Sequence, residues 1–245
     1  MESSIRCWRR RDAGWSRRLQ VRFNLSKGER LSLWEKPQPD DAYLIGADVA
    51  EGVDGGDNSC AQIISRKKFK QVASWCGKIE PYEFGRVLHD LGLYYNNALV
   101  APERNSSGVS TIDSLRKLNY PNLYKMVKFD KDGAEETDRY GWITNLHTRG
   151  LIIGTLREVI RENSLILQDP DTLSELKTFI LNPDTGKMEA AVGNHDDRVM
   201  ALAIAAYLHT TLPWAPESVV ADSYINRIRG HQSSGEVIVQ GRGGY

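Results

Sequence analysis

Long apolar runs are missing from this sequence. None approaches the roughly 20 residues that a helical membrane span needs, which argues against a membrane partner. The first residues, Met1 to Arg18, carry arginines but no apolar core, so they do not read as a secretory signal. Cysteine is scarce. Cys7, Cys60 and Cys76 make neither a CxxC pair nor a paired framework, and they are expected as reduced thiols in a cytoplasmic protein. The phosphate-loop pattern G-x-x-x-x-G-K-[ST] is absent: Gly77-Lys78 is followed by Ile79 and Gly186-Lys187 by Met188, and neither has the upstream glycine. Net charge is missing too, because 32 Lys and Arg balance 32 Asp and Glu. A chain that lives on nucleic-acid phosphate usually carries a basic excess. The balance gives no support to such a partner, yet acids gathered in one site would cancel bases spread along a surface.

What is present is ordinary globular composition, 40% hydrophobic and 26% charged over 245 residues, enough for one sizeable domain with tails. Residues 1–40 lack clean periodicity, are rich in arginine from Arg6 to Arg22, and end in Lys36-Pro37-Gln38-Pro39, so they read as a basic arm and linker. A folded region over 41–212 follows. Strands are predicted at Tyr43–Val49, Cys60–Ser65 and Phe69–Trp75, in a meander. Pro81 opens a helix over Tyr82–Tyr95, whose Phe84, Val87, Leu88 and Leu91 share a face. Then come a short strand at Ala98–Ala101, a helix at Gly108–Leu118, a fifth strand at Leu123–Phe129 and a helix at Leu151–Arg161. A short strand at Leu165–Leu167, a helix at Leu173–Phe179, a hairpin around Asn182–Gly186 and an Ala-rich helix at Asp196–Leu208 complete the region. Residues 213–245 read as a flexible tail. The order implies an α/β fold: a mixed five-stranded sheet flanked by helices, with an added hairpin.

Three sets of acids stand out. Asp48 sits inside an apolar strand, where an uncompensated carboxylate costs several kcal/mol; a bound cation, a paired arginine or an exposed edge would each compensate it. Glu103 follows the end of a short buried strand, where α/β folds collect ligands; the plain alternative is a solvated acid paired with Arg104. Asp196 and Asp197 open a helix, where one acid serves the macrodipole and two suggest more. The small residues after them, Ala201-Leu202-Ala203-Ile204-Ala205-Ala206, allow that helix to lie close on the sheet. Carboxylate oxygens converging from three parts of a chain are what hard divalent cations take as ligands.

Asp48 with the glycine and Asp57 run after it, Glu103, the Tyr140-Gly141-Trp142-Ile143-Thr144-Asn145 and Thr148-Arg149 stretch, and the block Asn194-His195-Asp196-Asp197-Arg198-Val199-Met200-Ala201 together resemble the nuclease module of phage large terminases, over roughly Ala42 to His209. The resemblance implies a ribonuclease H-like fold and two divalent ions, Mg²⁺ or Mn²⁺. It implies metal-dependent endonuclease cutting of concatemeric double-stranded DNA during genome packaging in the host cytoplasm. The terminase ATPase domain, the small terminase subunit and the portal protein are the implied partners. Carried over by motif, Asp48 bridges both ions, Glu103 holds one and Asp197 the other, with Asp196 the alternative ligand. Asp57 or Asp54 would assist, though both are also ordinary turn residues. Arg149 and Lys187, read as loop cations, would contact phosphate or simply face solvent. His195 is expected to help cap the last helix. Without a phosphate loop the chain corresponds to the nuclease module alone, with the stretch before Pro39 an interdomain remnant.

Other readings stay open on the residues alone. A junction resolvase or transposase core uses the same acids. An actin-like ATPase also follows its first strand with a Gly-rich turn such as Gly52–Asn58, but needs a second phosphate loop not found here. A docking module without catalysis is the third.

Overall fold

The computed structural model describes residues 2–11, 14–24, 29–53, 55–129, 135–182, 186 and 188–214. The chain opens with β1 (Glu2–Arg11) and β2 (Gly14–Asn24), paired antiparallel, and a short β3 (Arg30–Leu33). All three lie in the stretch read as an arm. β3 is in fact an edge strand of the central sheet, with Arg30 to Leu33 opposite Cys76 to Ala73. A four-residue edge strand has too little alternation to declare itself; its partner supplies the ladder.

The meander follows as β4 (Tyr43–Asp48), β5 (Ser59–Ser65) and β6 (Lys70–Gly77), then α1 (Pro81–Tyr94), β7 (Leu99–Pro102) and α2 (Gly108–Lys117). The sheet order is β3-β6-β5-β4-β7, antiparallel except for the parallel pair β4 and β7. Strand periodicity divides β4 between two cores. Tyr43, Ile45 and Ala47 join Trp75 and the buried stripe Phe84, Leu88 and Leu91 of α1. Each of these large side chains contributes about 1.5–3 kcal/mol by full burial. Pro81 takes the first helical position of α1, and the Glu80 carboxylate accepts the Glu83 N–H at 3.1 Å.

The opposite face is covered by α3 (Leu146–Arg161) and α5 (Asp197–Thr211), which bury Leu44 and Ile64 of the sheet with Ile152, Leu156, Val199 and Leu202. α3 begins five residues before the predicted start, at a capping box: Asn145 Oδ1 accepts the N–H groups of His147 and Thr148, and Thr148 Oγ1 accepts the Asn145 N–H at 2.8 Å. Between these helices lie α4 (Pro170–Thr178) and the hairpin β10 (Phe179–Leu181) and β11 (Met188–Ala190). Among the described residues no helix is long and apolar enough to cross a membrane.

Two further expectations are corrected. The fifth strand of the sheet is β3, not Leu123–Phe129. Leu123 makes one parallel bridge to Val100, and then β8 (Lys125–Phe129) leaves to pair with β9 (Glu135–Tyr140). The chain rejoins β7 at Trp142, which donates its N–H to the Pro102 carbonyl at 2.8 Å. Alternation identifies a strand but not its partner. The second correction concerns the thiols. Cys60 and Cys76, 16 residues apart, are directly opposed on β5 and β6 and joined as a disulfide. Hairpin register creates that pairing, which sequence spacing does not reveal. Residues Met1–Leu212 make one compact unit, and Pro213–Tyr245 a second of which only the first two residues are described.

Candidate metal centre

The centre is built by the contact of β4 with α5. Leu44, Gly46 and Asp48 share the face of β4 turned towards α5. A Cβ at Gly46 would strike the Ala201 carbonyl and lie 2.7 Å from the Ala205 nitrogen, so only glycine admits the helix this close. From that contact, two residues along the strand cover about 6.6 Å. One turn back along the helix covers a similar distance, about 6 Å for four residues. The two paths lead to Asp48 and Asp197.

Glu103 is delivered by the parallel pairing of β7. Its N–H donates to the Ala47 carbonyl at 2.7 Å, which sets it beside Asp48. The two carboxyl groups are hydrogen-bonded to each other, and Asp48 has a pKa raised well above the usual carboxylate range. Burial is the main cause, followed by Glu103 and then by the charges of Asp197 and Asp196. Asn105 supports this pair. Its Nδ2 donates to the Val49 carbonyl at 2.7 Å and lies 3.5 Å from Glu103 Oε2, while its Oδ1 accepts the Gly108 N–H at 2.7 Å.

Asp197 is only 4% exposed. Its Oδ2 accepts the Asn58 N–H at 2.9 Å and lies 3.4 Å from Asn58 Nδ2. Burial raises its pKa, and the Asn58 bonds oppose that. His195 Nδ1 lies 3.3 Å from Asp57 Oδ1 and 3.9 Å from Asp197 Oδ2. Asp57, His195 and Asp197 thus offer three ligand atoms all within 4.8 Å of one another.

Asp196 and His195 do not cap α5. The cap comes from α4: Glu175 Oε2 accepts the Arg198 N–H at 2.9 Å. Burial pushes the Glu175 carboxyl up to about 7. The Arg198 guanidinium is shared among Glu175, Asp169 and Asp171 at 3.2–3.5 Å. Asp169 also accepts from Ser74 and Thr172, which ties the start of α5 to the sheet through buried polar groups. The Asp196 carboxylate faces Arg149 at 2.8 Å. Arg149 belongs to the first turn of α3 rather than to a loop, and it also donates to the Met188 carbonyl of β11. Asp57, Arg149, Glu189, Asn194, His195 and Asp196 line an open cleft of about 540 Å³. Asp54 and Lys187 lie outside the described residues.

No family model matches the chain. Among solved structures it is similar to the large terminase nuclease from thermophilic phage G20c with bound magnesium, at 19% identity and a TM-score of 0.59, over 72% of this chain and 86% of that one. The cobalt-bound form of that nuclease gives 20% identity and a TM-score of 0.58, over 72% and 86%. The large terminase nuclease domain of Thermus phage P74-26 gives 19% and 0.55, over 75% and 87%. The chain has the fold of a large terminase nuclease domain.

In this terminase-nuclease-like, ribonuclease H-like fold the acids form two adjoining groups, Asp48 with Glu103 and Asp57 with His195 and Asp197. Among the described residues neither Asp48 nor Glu103 is ion-paired to a Lys or Arg, and Arg149 balances only Asp196. Four carboxylates and an imidazole make an oxygen-rich donor set suited to hard or borderline divalent cations. Asn58, Asn105 and Glu175 were not signalled in the sequence, because each acts through a hydrogen bond that only the fold closes.

Proposed function

We propose that the chain is a divalent-metal-dependent endodeoxyribonuclease that cuts concatemeric double-stranded DNA during phage genome packaging, in the host cytoplasm. The observation that carries this reading is the meeting of acids from β4, β7 and α5 in the fold of large terminase nuclease domains. Two Mg²⁺ or Mn²⁺ ions, when bound, supply an activated water and stabilise the leaving oxygen of the phosphodiester. Asp48 would be the ligand common to both ions, Glu103 would hold one and Asp197 the other. Asp57 and His195 stand at the Asp197 side, and Asn58 and Asn105 fix the carboxylate rotamers. Arg149 and Lys187 contact the DNA phosphates, and Asp196 balances Arg149 until phosphate arrives. In a packaging motor the partners are the terminase ATPase domain, the small terminase subunit and the portal protein.

The test is plasmid cutting by the purified chain in Mg²⁺ or Mn²⁺, with chelator as control and a four-way junction as competing substrate. Nicking and linearisation that stop with chelator are expected. A chain that cuts no duplex under any divalent cation defeats the proposal, and preference for the junction replaces it with a resolvase.

A further inference from the structure

Asp196 stands at the start of α5 beside the buried Asp197, yet it is outside the group that Asp57, His195 and Asp197 form. It is not remote from the centre, since its charge is among those that push the Asp48 carboxyl up. Nor is its carboxylate used by the helix. It accepts no N–H of α5, and the Arg198 N–H goes to Glu175 of α4 at 2.9 Å. Among the described residues the one side-chain partner of Asp196 is Arg149, at 2.8 Å. Arg149 stands on the first turn of α3, where the Asn145–Thr148 capping box fixes the backbone. Its guanidinium also donates to the Met188 carbonyl at 3.2 Å. Both side chains of the pair keep 27% of their surface exposed, so the pair can open without unpacking the core.

The surroundings make this pair a point of competition. Of the described residues that line the cleft, Arg149 is the one Lys or Arg, and it faces Asp57, Glu189 and Asp196. A backbone phosphate entering there meets carboxylates and a single guanidinium. A guanidinium takes phosphate in the same forked geometry as it takes carboxylate. Phosphate and Asp196 are therefore rivals for one donor. When phosphate takes Arg149, Asp196 becomes an unpaired carboxylate close to other acids, which is unfavourable unless a cation joins them. Its oxygens are also of the kind that hard divalent cations accept. Read the other way, a cation that takes Asp196 frees Arg149 for phosphate.

We propose that Asp196 is a withheld metal ligand: Arg149 occupies its carboxylate in the free chain, and a DNA phosphate that takes Arg149 releases Asp196 to a divalent cation. DNA and metal then each tighten the binding of the other by the same factor. The proposal rests on the nuclease reading and adds a rule for how that centre assembles. Its test uses the full chain and a labelled duplex followed by fluorescence anisotropy, once with EDTA and once with saturating Ca²⁺. The ratio of the two affinities measures the coupling. In the wild type Ca²⁺ should tighten DNA binding about fivefold or more. Arg149→Gln and Asp196→Asn should each lower that ratio about threefold or more, and the double variant should match either single within about twofold, since both break one pair. Glu189→Gln, which removes a charge from the same cleft without touching the pair, should keep the wild-type ratio. An Arg149 that only contacts phosphate would weaken DNA binding equally with and without Ca²⁺. An Asp196 that only holds metal would weaken metal binding equally with and without DNA. Either role alone leaves the ratio unmoved. Calorimetry gives a second readout: DNA-free Arg149→Gln should bind Mn²⁺ more tightly than the wild type. Unmoved ratios in the two single variants, an equal fall in Glu189→Gln, or weaker Mn²⁺ binding by Arg149→Gln overturns the proposal, while plasmid cutting by the wild type keeps the nuclease reading intact. Wild-type protein that neither binds nor cuts duplex removes both.

Discussion

Asp48 ends a buried strand, shares a hydrogen bond with a second carboxyl and faces two more acids, so its negative charge opposes folding until a cation arrives. Asp48→Asn keeps the shape and deletes the repulsion. The metal-free variant should melt above the wild type, and if Asp48 holds both ions its DNA cutting should fall by orders of magnitude. Full cutting by the variant would move the shared position to another acid. Glu175 makes a separate pH prediction. Its carboxyl titrates at about 7 in the folded chain, against an ordinary 4.5. Its stabilising contribution is complete below the lower value, where both states hold the proton, and is lost as pH rises through the higher one. Asp48 shifts in the same direction. The melting temperature of the metal-free protein should therefore decline from about pH 5 to 8, and Glu175→Gln should flatten the decline. Parallel curves for the two proteins would count against it. At this scale, acids were legible in the sequence where they broke an apolar pattern, as at Asp48, or followed one, as at Glu103. Glu175 was not, because it caps a helix that begins 22 residues later and nothing local marks the partnership.

At the scale of elements, helices with a continuous apolar face were legible, α1 nearly to its ends and α5 through its alanines. Strand partners were not. β3 and the β8–β9 pair depend on which ladder is free, a property of the assembled sheet rather than of the segment. The junction that matters most is Gly46 against Ala201 and Ala205. Gly46→Ala places a methyl group into helix backbone, which cannot rotate aside. It should cost about 1–3 kcal/mol as overpacking does. Because the displaced element carries Asp197, it should also weaken Mn²⁺ binding measured by calorimetry. A stable variant with unchanged Mn²⁺ affinity would mean that α5 tolerates the shift without disturbing the acids.

For the whole molecule, the balance of 32 basic and 32 acidic residues conceals a local gathering of acids at one edge of the sheet. If divalent ions settle among the acids, they should raise the melting temperature with concentration, because a ligand bound to the folded state alone adds RT ln(1 + [L]/Kd). A curve that does not move across millimolar Mg²⁺ and Mn²⁺ would argue that the carboxylates never gather an ion. The excursion from β8 to β9 has a consequence for how the molecule can be cut and joined. Its two ends meet where the Gly141 N–H donates to the Tyr124 carbonyl at 2.8 Å, so the chain leaves and re-enters through one doorway. The sheet neighbours on either side, Leu123 and Trp142, are already anchored to β7. The intervening segment is therefore a removable module: its ends are near enough for a short glycine bridge, and a reporter domain set in its place would leave the acids of β4, β7 and α5 undisturbed.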